Sequence, residues 1–136
     1  MKTTISHIQF NVRPANLVFY KDLMACLGWQ TIYADDAMLG VADGRGASLW
    51  FSAQVKEVSN DYDGPGMNHL GIGAPTQADV DTVTAFLKDH GVPALFDTPR
   101  HRPDFEPNPE RTYYQVMFES PDRVLFEVVY TGPKAG

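Results

Sequence analysis

Ile8, Phe10 and Val12 are apolar at every second position, with His7, Gln9 and Asn11 between them. A period of two predicts a strand with one apolar and one polar face. The pattern returns later, where Leu70 and Ile72 alternate with His69, Gly71 and Gly73. A helix is predicted behind each strand. Over 16–27, Phe19, Leu23 and Leu27 recur at helical spacing, and Gly28 is placed to end the helix. Over 76–90, Val80, Val83 and Leu87 line one side, Thr76 and Asp79 form a capping pair, and Gly91 is the stop. Three strands are expected after each helix, at 30–34, 38–42 and 47–53 and then at 94–98, 113–118 and 124–130. The turns Asp43-Gly44 and Ser120-Pro121-Asp122 separate the last two strands of each set.

The chain therefore repeats itself. His7 and His69 lie 62 residues apart, and Gly28 and Gly91 lie 63 apart, so one inserted residue keeps the halves in register. The expected fold class is α+β: two β-α-β-β-β repeats forming a curved mixed sheet around a central cleft, helices outside. The first repeat spans 1–59, a turn-rich linker 60–66, the second repeat 67–131 and a tail 132–136. The Pro-rich stretch 100–111 has no counterpart in the first half and has the length and polarity of a lid.

Bulk properties narrow the function. At 136 residues the chain suits one small domain or two repeats sharing a core. A net charge of −6 argues against a phosphate-backbone partner, so no nucleic-acid role is expected. No apolar run is long enough to cross a bilayer, and the first six residues hold no long apolar stretch, so neither a membrane span nor a signal peptide is expected. Cys26 is the single cysteine, which excludes an internal disulfide; a cytoplasmic location is expected.

One residue breaks the pattern. Glu127 is the only charge in the run Val124 to Tyr130. A carboxylate there is costly unless it is ion-paired, hydrogen-bonded or metal-bound. By alternation Phe126, Val128 and Tyr130 face the helix, so Glu127 faces the other way, toward the histidine side of its sheet. Two imidazoles and a carboxylate make a three-ligand set with open positions, suited to Fe(II), Mn(II), Zn(II) or Ni(II). Taken singly, each residue has a plainer reading: a hydrogen-bonded strand histidine, or a glutamate paired with Arg102 or Arg111. The equivalence of His7 and His69 in the two repeats tips the balance to ligands.

The segments S-H-I-Q-F-N-V, F-Y-K-D-L-M-A-C-L-G-W, M-N-H-L-G-I-G and F-E-S-P-D-R-V-L-F-E-V-V-Y together resemble the vicinal-oxygen-chelate superfamily of glyoxalases, bleomycin-resistance proteins and extradiol dioxygenases. The likeness spans nearly the whole chain. It implies His7, His69 and Glu127 as metal ligands. Trp50 stands in the first half where Glu127 stands in the second, so a four-ligand glyoxalase I centre is not expected. Trp50 is then a flat wall for a planar substrate or a core filler. The three-ligand pattern is closer to the extradiol dioxygenases, whose tyrosine before the Pro-Asp turn is here replaced by Met117. Tyr113 and Gln115, on Met117's strand face, and His101 are the candidate proton-handling groups, with Trp50 and Met117 as substrate contacts.

The resulting expectation is a metal-dependent enzyme, Fe(II) favoured, acting on a small substrate that chelates through neighbouring oxygens. The alternatives are a bleomycin-resistance-like binding protein without metal chemistry and a glyoxalase I-like lyase or isomerase. The sheet edges suggest a homodimer.

Overall fold

The computed structural model describes residues 1–135, which form two compact units, one over residues 1–59 and one from residue 60 onward. Each is a β-α-β-β-β repeat. The first unit holds β1 (His7–Asn11), α1 (Leu17–Cys26), β2 (Gln30–Ala34), β3 (Met38–Ala42) and β4 (Ser48–Ser52). The second holds β5 (Leu70–Gly73), α2 (Gln77–Asp89), β6 (Leu95–His101), β7 (Arg111–Glu119) and β8 (Leu125–Pro133). The strand order is β1-β4-β3-β2 in one sheet and β5-β8-β7-β6 in the other. The architecture is therefore α+β with mixed sheets, and among the described residues the ladders form two four-stranded sheets, one per repeat.

In the first unit β1 runs parallel to β4, with Gln9 beside Trp50 and Phe10 beside Phe51. Phe10, Val12, Leu49 and Phe51 are buried, as the alternation predicts. Tyr20 stacks on Phe51 with ring centroids 4.5 Å apart. The face of α1 that does this differs from the expected one. Tyr20, Leu23 and Met24 are buried, whereas Phe19 and Leu27 are only half-buried. A 3-10 turn over Pro14–Asn16 leads into α1. Leu23 lies on both stripes, so spacing alone left the rotation open by about one residue.

The second unit follows its pattern closely. Val80, Val83 and Leu87 of α2 are buried, as are Val116, Phe118, Phe126 and Val128 of the sheet. Thr76 caps α2: its Oγ1 accepts from Asp79 N–H at 3.1 Å and donates to the Asp79 carboxylate at 2.6 Å.

Both helices end in the same way. Gly28 N–H donates to Ala25 O and Trp29 N–H to Met24 O; Gly91 N–H donates to Lys88 O and Val92 N–H to Leu87 O. These are the paired bonds of a Schellman stop, which needs positive φ at its glycine. Gly28 and Gly91 have φ of 79° and 68°.

β6 departs most from expectation, because it extends to His101 and shortens the Pro-rich loop to 102–110. Its pairing with β7 is regular at Leu95 and again from Arg100, with a bulge between. Phe96 and Asp97 both take φ of 57° in that bulge. Among the described residues no helix is long and apolar enough to cross a membrane.

Candidate functional site

β7 and β8 pair antiparallel, with Met117 opposite Glu127 and Gln115 opposite Val129. Tyr113, Gln115, Met117 and Glu127 thus project from the sheet face away from α2, and all four line a cavity of about 370 Å³. Tyr62, Phe96, Phe105 and Leu125 supply apolar wall, and Asp63, Asn68, His69 and Arg102 polar wall.

Glu127 stands in this cavity only 5% exposed. Burial disfavours a carboxylate unless partners replace water. Its Oε1 accepts from the Tyr113 hydroxyl and, at 3.1 Å, from Gln115 Nε2. Its Oε2 lies 3.0 Å from His69 Nε2. The Gln115 amide is fixed at its other end, since its Oε1 accepts from Arg102 Nη1 at 2.8 Å. Arg102 is held by Asp104 through Nε (3.1 Å) and Nη2 (2.8 Å), and lies over the Phe105 ring at 4.2 Å. Burial first, and then the bond to Glu127, push the Tyr113 phenol up to about 12. Tyr113 is therefore neutral at physiological pH and its one proton is committed to Glu127.

His69 sits one residue before β5 rather than within it. Its Nδ1 lies 2.7 Å from Asn68 Oδ1. Gly71 pairs with Glu127 across the parallel ladder, and a Cβ there would meet Oε2 at 3.8 Å, an ordinary van der Waals contact.

The donor set fits a divalent cation. His69 Nε2 and Glu127 Oε2, one nitrogen and one oxygen, share the cavity wall at the 3.0 Å spacing of two ligands that each reach one ion at about 2.1 Å at right angles. Glu127 Oε1 is already saturated by neutral donors, the outer-shell arrangement that orients a ligating carboxylate. Among the described residues no three His, Cys, Asp or Glu side chains form a ready-made group. His7 belongs to the first unit, where it opens β1, is exposed, and bonds Ser6 Oγ through Nδ1 at 3.1 Å.

Of the remaining sequence candidates, Met117 lines the cavity and His101 does not. His101 pairs with Tyr114 across the ladder, bonds Thr112 Oγ1 through Nδ1 at 2.5 Å and tilts against the Tyr114 ring at 4.9 Å. Thr112 and Tyr114 alternate with Tyr113 and Gln115, so His101 is on the other side of the sheet, beside a separate cavity of about 200 Å³. It is not placed to exchange protons with a ligand at Glu127. Trp50, in the first unit, projects from β4 on the face opposite the buried Leu49 and Phe51. Its indole covers Gly40, donates from Nε1 to Ser48 Oγ at 3.0 Å and tilts against Tyr33. Of the two arginines considered for Glu127, Arg102 reaches it only through Gln115, and Arg111 pairs with Glu106.

Sequence reasoning missed Asn68 and Phe105. For Asn68 a signal was present: a side chain able to hydrogen-bond precedes each repeat histidine, Ser6 before His7 and Asn68 before His69. Phe105 is held by loop geometry that the sequence does not display.

Solved structures share the fold of this chain. A glyoxalase-like protein from Bacillus halodurans superposes with a TM-score of 0.75 at 25% identity, covering 93% of this chain and 94% of the other. The chain has the vicinal-oxygen-chelate fold. A glyoxalase/bleomycin resistance protein from Albidiferax ferrireducens gives a TM-score of 0.72 at 15% identity, with 93% and 98% covered. The fosfomycin resistance protein FosX from Listeria monocytogenes gives 0.66 at 21% identity, with 96% and 94% covered. No protein-family model matches, and no curated protein matches by sequence. Vicinal-oxygen-chelate architecture is thus retained at identities where side chains have largely changed, and function has to be argued from the site.

Proposed function

We propose that the chain is a divalent-metal-dependent enzyme of this superfamily, acting on a small substrate that presents two neighbouring oxygens. The observation that carries the reading is the approach of His69 Nε2 to Glu127 Oε2 in a cavity, with the second carboxylate oxygen held by Tyr113 and Gln115. His69, Glu127 and His7 are the proposed ligands, His7 on the strength of its equivalent place in the first repeat. A homodimer is the proposed assembly. Fe(II) is the favoured ion, with Mn(II), Zn(II) and Ni(II) as alternatives for an N/O donor set. Such an ion supplies a Lewis acid that stabilises negative charge on substrate oxygen.

The chain's own residues do the rest. Tyr113 and Gln115 hold Glu127 aimed, and Arg102 keeps Gln115 from turning over. Phe96, Phe105, Tyr62, Met117 and Leu125 exclude water and favour a flat or apolar substrate body. Gln115 has no proton to give to a reacting atom, and that of Tyr113 is engaged, so both are positioning residues in this reading. Three ligands with no carboxylate at Trp50 keep ring-cleaving dioxygenase chemistry ahead of a glyoxalase I-like reaction.

One observation favours a second reading. His69 and Glu127 also satisfy each other directly, as a metal-free binding protein with an aromatic cavity would have them. Elemental analysis of anaerobically purified protein separates the two. Stoichiometric metal, lost in Glu127→Gln, supports the enzyme; protein that neither carries nor takes up Fe(II), Mn(II), Zn(II) or Ni(II) leaves the binding protein. Catechols and 2-oxoaldehydes would then be screened with the ion found. Oxygen uptake would favour ring cleavage, and turnover without it would favour lyase or isomerase chemistry.

A further inference from the structure

Resting on the metal reading above, we infer that Asn68 is a positioning residue that sets the tautomer of His69, so that Nε2 offers its lone pair to the cavity. Hydrogen-bond chemistry fixes how the Asn68 amide is turned. Asn68 Nδ2 lies 3.0 Å from the Tyr62 carbonyl oxygen. A carbonyl oxygen only accepts, so the amide nitrogen is on that side and Oδ1 is turned to His69. Oδ1 also only accepts, and it stands 2.7 Å from Nδ1. Nδ1 therefore carries a proton, and Nε2 is the nitrogen left to take a metal ion or a second proton.

That nitrogen faces Glu127 Oε2 at 3.0 Å, while Oε1 takes two hydrogen bonds. Two lone-pair atoms at that distance require a positive centre between them, either a proton or a metal ion. Asn68 thereby turns an ordinary neutral His–Glu hydrogen bond into a seat for a cation.

The mount reaches well beyond Asn68. The Tyr62 hydroxyl donates to Glu119, Arg123 lies over the Tyr62 ring at 5.4 Å, and Asn60 Nδ2 donates to Arg123 O at 2.9 Å. The linker 60–66 is thus fastened to the end of β7 and the turn after it, and through Tyr62 it holds the asparagine. In the first unit Ser6 Oγ stands 3.1 Å from His7 Nδ1. A hydroxyl can donate or accept, so Ser6 leaves the tautomer of His7 free, whereas Asn68 does not.

The test is a long-range proton–nitrogen correlation spectrum recorded without metal and again with Zn(II). His69 Nδ1 should be protonated in both, with Zn(II) replacing any proton on Nε2 in the second. Asn68→Asp, which keeps an acceptor, should retain the protonated Nδ1. Asn68→Ala should leave the ring proton on Nε2 alone and weaken Zn(II) binding by about 10–100-fold, the range for losing an outer-shell partner. An unprotonated Nδ1 in the unmodified protein, or an Nδ1 still protonated in metal-free Asn68→Ala, overturns the inference. Should Asn68→Ala not fold, the unmodified protein and Asn68→Asp decide the matter. A protein that never binds Zn(II) yet shows the protonated Nδ1 keeps this role for Asn68 while the metal reading falls.

Discussion

The Nε2 atom of His69 stands 3.0 Å from Oε2 of Glu127, and the other oxygen of that carboxylate is already taken by neutral donors. A Glu127→Gln substitution should therefore separate folding from metal binding. Tyr113 and Gln115 would hold the new carbonyl oxygen, turning the amide N–H toward Nε2. The fold should persist, with a thermal midpoint near that of the parent. Metal affinity measured by calorimetry should fall at least as far as for an outer-shell loss, on the order of 100-fold. Unchanged affinity would remove Glu127 from the ligand set.

Arg102 is predicted to matter for stability through Gln115. Gln115 is 2% exposed, and in Arg102→Ala its Oε1 would lose its partner. A buried acceptor left unpaired costs about 1–3 kcal/mol. Asp104→Ala removes only a half-exposed partner of the same arginine and should cost less than about 1 kcal/mol. Urea midpoints of the two variants should differ in that order; equal losses would show that the Asp104 pair, not the Gln115 bond, is what Arg102 contributes.

Much of the placement of these residues was legible in the sequence. Period-two alternation put Glu127 on the face away from the helix and grouped Tyr113, Gln115 and Met117, because β7 and β8 pair without interruption. Thr76, Gly28 and Gly91 announced their caps, since those are local backbone requirements. His101 was misplaced because the stretch 100–111 read as a loop, whereas β6 runs on through a bulge to pair His101 with Tyr114, which no periodic signal announces. The rotation of α1 was missed because Tyr20 and Phe19 are both apolar, and only packing on Phe51 chooses between them. The reach of Arg102 across to Gln115 depends on loop geometry with no periodic signature.

Gly40 is predicted to be intolerant of any side chain. A Cβ there would come within 2.6 Å of the Trp50 indole. Gly40→Ala should cost about 1–3 kcal/mol through overpacking. The cost should largely vanish when Trp50→Ala is added, so the double-mutant cycle should show strong coupling. Additive effects would mean that the indole moves aside freely.

Tyr114 is predicted to impose an alkaline limit. Burial, followed by its hydrogen bond to Asp81, raises its phenol from 10.0 to about 12. The folded state thus holds its proton more tightly than the unfolded chain. The stability gained is complete below pH 10, declines between 10 and about 12, and is lost above the folded value. The stability difference between the parent and Tyr114→Phe, measured by denaturation at several pH values, should shrink across that window. A constant difference would contradict the assignment.

The paired glycine stops have a wider consequence. Backbone hydrogen bonds alone make them, so they outlast the replacement of almost every neighbouring side chain. The two copies can keep one chassis while dividing the labour unequally. In the second copy Met117 and Glu127 face each other across a ladder that opens on a hollow; in the first, Gly40 and Trp50 do so with the indole laid flat over the glycine. An engineer wanting a second reaction chamber would have to excavate the first copy by removing that indole before any ligand could be installed there.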